Sequence, residues 1–80
     1  MQELGEFSVF QDFSNGMREK VRDRVTAGEA VRAAAHYSDC VGSRIGTTVR
    51  VIITDGDDFI CWEWLHGRGV VFPPPAAPDA

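Results

Sequence analysis

The sequence predicts an α+β domain: an antiparallel β-sheet of four to five strands with one α-helix packed on one face. The element order is ββαββ, or ββαβββ if a last short strand pairs. Three observations carry this expectation. Apolar and polar residues alternate with period two over 7–13, 47–54 and 59–65, as in half-buried strands. A single stretch, 27–41, shows helical spacing behind a capping signal. Between these segments stand turn-forming clusters at 14–16, 55–58 and 66–69. Eighty residues suffice for one small domain, expected over 1–72, with a Pro/Ala-rich tail over 73–80.

In the first strand, Phe7, Val9, Gln11 and Phe13 fall on one side, and Ser8, Phe10 and Asp12 on the other. Asn15-Gly16 follows, and both residues tolerate the positive φ of a tight hairpin. Residues 17–25 fit two readings. As a strand, Met17, Glu19, Val21, Asp23 and Val25 share one face, and Arg18, Lys20, Arg22 and Arg24 the other. As a helix, Met17, Val21 and Val25 still align at i, i+4, i+8. The Asn-Gly turn and the matching length of the first strand favour the hairpin.

Thr26-Ala27-Gly28-Glu29 has the form of a capping box, so a helix is expected from Ala27 to Val41. Its stripe is Ala30, Val31, Ala34, Tyr37, Ser38 and Val41, with Gly42 as the left-handed stop. Thr47–Thr54 is rich in β-branched residues, with Val49, Val51 and Ile53 on one face. After the Asp55–Asp58 turn, Ile60, Trp62 and Trp64 share a face, opposite Phe59, Cys61, Glu63 and Leu65. The tryptophan pair fits either packing under an Ala-rich helix or anchoring at an interface. Val70–Phe72 is a candidate fifth strand, and Pro73-Pro74-Pro75 ends pairing because proline donates no ladder hydrogen bond.

Twelve acids against eight bases leave a net charge of −4, the wrong sign for a generic nucleic-acid coat. It favours a basic partner. The first residues carry acids and no apolar run, so no secretory signal is expected. No apolar stretch approaches the length of a membrane span. A cytosolic location follows as the expectation, with Cys40 and Cys61 reduced rather than bridged.

Candidate site residues sort by charge. Asp55, Asp57 and Asp58, with Glu63 beyond them, suit a basic protein surface. Glu3, Glu6 and Asp12 reinforce that patch if the fold brings them near. The bland reading is a solvated hairpin turn, where Asp and Gly are the usual residues. The acid spacing and the position of Gly56 do not match a calcium loop. His36, Cys40, Cys61 and His66 are zinc-ligand types, yet there is no C-x-x-C and no finger spacing, so no metal or other cofactor is expected. No nucleophile elbow, P-loop or H-E-x-x-H motif is present, and no catalytic residue is assigned. An alternative function, a small nucleic-acid-binding or regulatory module, would use Arg18, Lys20, Arg22 and Arg24, where interleaved Glu19 and Asp23 point rather to solubilising charge.

The acidic balance, the hairpin over 7–25, the Ala-rich helix over 26–41 and the strand pair over 47–65 resemble small phage-type anti-CRISPR proteins. The resemblance lies in architecture and composition and covers 7–72. It implies a non-enzymatic inhibitor, monomeric or homodimeric, that binds a Cas subunit of a CRISPR effector complex. An acidic, DNA-mimicking surface would occupy the ground meant for DNA, with no direct contact to nucleic acid or membrane.

Overall fold

The structure, a computed structural model, describes residues 5–73. Its elements are β1 (Phe7–Phe13), β2 (Arg18–Val25), α1 (Ala27–Ser38), α2 (Val41–Ile45), β3 (Thr48–Thr54), β4 (Ile60–Leu65) and β5 (Gly69–Phe72). The strands form one sheet in the order β2-β1-β3-β4-β5, and every neighbouring pair is antiparallel. This is the expected α+β architecture, with the optional last strand present and 17–25 extended for most of its length. Of the expected tail, everything after Pro73 lies outside the described residues, as does Glu3. Among the described residues no helix is long and apolar enough to cross a membrane.

β1 sits between β2 and β3 and is antiparallel to both, so β2 and β3 run parallel. The chain must therefore return along the sheet between them, and α1 makes that return. Its twelve residues span about 18 Å, close to the length of a strand. The Thr26 hydroxyl accepts from the Glu29 amide at 3.3 Å, which is one half of the expected capping box.

α1 rests on the sheet through Ala30, Ala33 and Ala34, all buried, which meet Val9, Val51 and Ile53 from β1 and β3. Phe7, Val21, Val25, Tyr37, Trp62 and Trp64 close the cluster from its edges. The tryptophans thus pack on the helix side of the sheet. Below the apolar core lies a polar chain: the Thr48 hydroxyl donates to Gln11 Oε1 at 3.0 Å, and Gln11 Nε2 donates to Glu19 at 2.8 Å. Each buried polar atom named here has a partner, so its burial is tolerated.

The helix differs from expectation at its far end. It stops at Ser38, and Val31 and Val41 are exposed where Ala33 is buried. The Ser38 hydroxyl bonds back to the Ala35 carbonyl, and the Asp39 amide bonds to His36 O in a tightened last turn. Cys40 is extended and opens α2, with the Ser43 hydroxyl donating to Cys40 O at 2.8 Å. The left-handed stop is Gly46, with φ 89°, rather than Gly42. Gly42 serves a different need: a Cβ there would lie 3.1 Å from Thr48 Oγ1, so its bareness lets α2 approach β3. His66 holds the other side of α2, with Nδ1 2.7 Å from the Ser43 carbonyl.

The β1–β2 turn also differs in detail. Phe13 N donates to Met17 O and Gly16 N to Phe13 O, enclosing three residues of which only Gly16 has positive φ. This is the three-residue loop with a glycine bulge, not a two-residue Asn-Gly turn. The Thr54 hydroxyl is buried with no hydrogen-bond partner among the described residues. Replacing it with the isosteric valine removes that desolvation cost. Thr54→Val is expected to stabilise the fold by about 1 kcal/mol, read as a raised midpoint in urea at an unchanged slope.

Candidate protein-binding site

The β3–β4 hairpin turn is built by Asp55. Its amide donates to Phe59 O at 2.9 Å, and its Oδ1 accepts from the amides of Asp57 at 2.9 Å and Phe59 at 3.0 Å. Asp58 follows in the left-handed region at φ 64°, which aspartate tolerates better than most residues. One oxygen of Asp55 is therefore committed to shaping the loop, while Asp57 and Asp58 face solvent.

Sheet order brings further acids to this turn. Ser8 pairs with Thr54, so residues just before β1 lie beside residues just after β3. Gly5 N donates to Arg24 O at 3.2 Å and steers the chain into the sheet. A Cβ built on Gly56 would lie 3.3 Å from Glu6 Oε2, so Glu6 rests against the turn. Asp23 arrives from β2, where its Oδ1 accepts from the Ser8 hydroxyl at 3.3 Å and from Lys20 Nζ at 3.4 Å. Glu6, Asp23, Asp55 and Asp58, with Lys20 and Arg24, line a groove of about 280 Å³. Of the residues expected to bind a partner, Glu6, Asp55, Asp57 and Asp58 are thus gathered at one corner.

Asp12 and Glu63 are not part of that corner. They flank Arg50 on the sheet face away from α1, since Asp12 pairs with Arg50, and Ile52 with Glu63. Arg50 Nε bonds Glu63 Oε2 at 2.5 Å, and Arg50 Nη1 reaches Asp12 Oδ2 at 3.4 Å. Arg18 holds Asp12 from the other side with two hydrogen bonds. The hydrogen bond and charge of Arg18, helped by Arg50, keep the Asp12 carboxyl below its ordinary value of 3.8 despite the opposing effect of burial. These two carboxylates are neutralised inside a four-residue network and offer little to a partner. The signal for this was legible: Arg50 has the outward parity of β3, opposite Val51 and Ile53.

The basic row is also redistributed. Val9 pairs with Arg22 but Phe10 with Lys20, so Val21 is an extra residue in a β-bulge. A second irregularity lies between Phe7↔Val25 and Val9↔Arg22, where Arg24 takes φ 56°. Arg22 consequently shares the helix face with Val9, and its guanidinium lies 5.9 Å from the Tyr37 ring centre. Arg18 and Lys20 stay on the opposite face, 5.4 and 5.5 Å from the Phe10 ring. The four bases do not form one row. A similar bulge at β4 pairs Ile53 with Trp62 and Thr54 with Ile60, so Ile60 lies on the face away from the tryptophans. Asp23, which the alternation assigned to the apolar face, reaches the acidic corner only because of the bulge. No local sequence signal marks it.

The zinc-ligand types stay apart. Cys40 Sγ lies 3.4 Å from Tyr37 O, Cys61 Sγ 3.4 Å from Ile53 O, and His66 is held at Ser43. No group of three or more His, Cys, Asp or Glu gathers around one point among the described residues. Burial, and then the Asp55 charge, push the Cys61 thiol above its ordinary value of 9.0, so it is protonated at neutral pH. Comparison with family models, with curated proteins and with solved structures finds no match to this chain.

Removing Arg50 would leave two half-buried carboxylates facing each other. Arg50→Met is expected to destabilise by about 1–3 kcal/mol, while Arg44→Met, at an exposed pair, costs under about 1 kcal/mol. Because the folded Asp12 carboxyl titrates below its unfolded value, its contribution is complete above the unfolded value and is lost as pH falls through the folded one. Asp12→Asn is expected to flatten the fall in stability below about pH 4, measured by urea unfolding across that range.

Proposed function

We propose that this chain is a non-enzymatic, protein-binding inhibitor that docks its acidic corner on a basic surface of a cytosolic partner. The observation that carries this reading is the convergence of Glu6 with Asp55, Asp57 and Asp58, from two segments far apart in sequence. Asp57 and Asp58 have no ion-pair partner among the described residues and stand exposed at a turn held by Asp55. Fixed, solvent-facing carboxylates imitate the charge of a phosphate backbone and accelerate encounter with a cationic groove. The resemblance to anti-CRISPR proteins makes that groove the DNA-binding surface of a Cas subunit. The narrower mimicry set is Glu6, Asp55, Asp57 and Asp58, since Asp12 and Glu63 are occupied by Arg50 and Arg18.

The test is binding to purified Cas effector complexes, followed by charge reversal. Asp57→Lys with Asp58→Lys is expected to lower affinity at least about tenfold, mainly through the association rate, and to reduce its salt dependence. Asp57→Lys alone should leave the unfolding midpoint close to that of the parent, and Asp58→Lys should lower it slightly, because lysine tolerates a φ of 64° less well than aspartate. Affinity unchanged by the reversal would overturn the reading, as would failure to bind any effector complex.

A further inference from the structure

We propose that the groove between β2 and α1 binds a phosphate dianion through Arg22, Arg32 and His36. This groove is separate from the acidic corner and independent of the function proposed above. It has a volume of about 280 Å³ and is lined by Arg22, Glu29, Arg32, Ala33 and His36.

The site exists because of the β2 bulge. Regular alternation would send Arg22 to the open face with Lys20, but the extra residue Val21 turns it towards α1. There the guanidinium is positioned twice, by the Tyr37 ring at 5.9 Å and by Nη1 donating to Val21 O at 2.6 Å. Its remaining N–H groups are left for a ligand. From the helix, Arg32 and His36 stand one turn apart on a shared face. A Cβ on Gly28 would lie 3.4 Å from Arg32 Nη1, so the guanidinium lies back along the helix against bare backbone.

Neither arginine has a carboxylate within 4.0 Å among the described residues, although Glu29 lines the same groove. In a chain with twelve acids and eight bases, two unpaired guanidiniums sharing one concavity stand out. Their planar forks match the oxygen spacing of a phosphate, which each can hold with two hydrogen bonds. Glu29 opposes any anion in the groove, so the two arginines carry the binding, and a doubly charged anion gains most from them. The volume accommodates a phosphate and a small esterified group, so the dianion can be free phosphate or a phosphomonoester.

The experiment is a titration followed by amide NMR, at constant ionic strength, with inorganic phosphate, phenyl phosphate and chloride. Saturable shifts at Arg22, Arg32, Ala33 and His36 are expected with phosphate and not with chloride. Tighter binding of phenyl phosphate identifies an ester as the ligand, and equal or weaker binding identifies the free ion. Arg32→Gln and Arg22→Gln should each weaken binding about tenfold or more, as expected for a lost charge-assisted contact. Glu29→Gln should tighten it, and Arg24→Gln and Arg68→Gln, outside the groove, should leave it unchanged. Arg32 is exposed and makes no structural bond among the described residues, so that variant keeps the test valid if Arg22→Gln perturbs Tyr37. Shifts that do not saturate, that chloride reproduces, or that survive both arginine substitutions would overturn the site. So would an oligonucleotide bound equally well by the Arg22→Gln and parent proteins and more tightly than either phosphate.

Discussion

The close approach of α1 to the sheet, made through three alanines, is the constraint on which the rest depends. Ala30, Ala33 and Ala34 bring almost no volume of their own, so the sheet must fill the space between the layers. That demand explains why Val9, Val51 and Ile53 lie in the middle and why Phe7, Trp62 and Trp64 close in from the edges. It also makes the molecule thin, with extents of 43 × 38 × 20 Å, and among the described residues no helix covers the opposite face of the sheet. A core this small has little stability in reserve. Polar networks such as Arg50 with its two carboxylates therefore weigh more here than they would in a larger domain.

The uncovered face is handled by charge. Phe10 is roofed by Arg18 and Lys20, and Arg50 is clasped between Asp12 and Glu63. Long side chains lay their methylene stems across apolar surface while their heads stay wet. Acids spent this way cannot also serve a partner. The carboxylates of Asp57 and Asp58, exposed and free of ion pairs among the described residues, stand instead at the corner where the chain enters β1 beside the β3–β4 turn. Topology makes this corner: because β1 inserts between β2 and β3, its lead-in and the end of β3 must meet.

Much of the fold was legible because the alternation of β1 and β3, the Thr26 cap and the turn residues all agree. Trp62 and Trp64 follow the same rule and pack where their parity sends them. The gathering of Glu6 with Asp57 and Asp58 needed strand order, which no local pattern encodes. The misplacements of Arg22, Asp23 and Ile60 share one physical cause, since period-two reasoning assumes an unbroken ladder. Each bulge inverts the parity beyond it, so Arg22, Asp23 and Ile60 fall on faces opposite to those their positions suggest. The helix end was missed for a different reason. Val41 continues the apolar spacing, but the hydroxyl of Ser38 takes a carbonyl from the last turn, and Cys40 starts a new helix.

Seen this way, the extra residue Val21 works as a sorter of charge. It takes a strand whose bases would otherwise form one continuous cationic edge and sends them to two sides of the sheet. Pairing the same residues without the bulge, with Val21 facing Val9, would leave composition and net charge unchanged. It would nevertheless bring Arg22 beside Lys20 and Arg18 and recreate a single basic strip on an acidic protein. The polarity of each surface is thus written in the spacing of the backbone as much as in the choice of side chains.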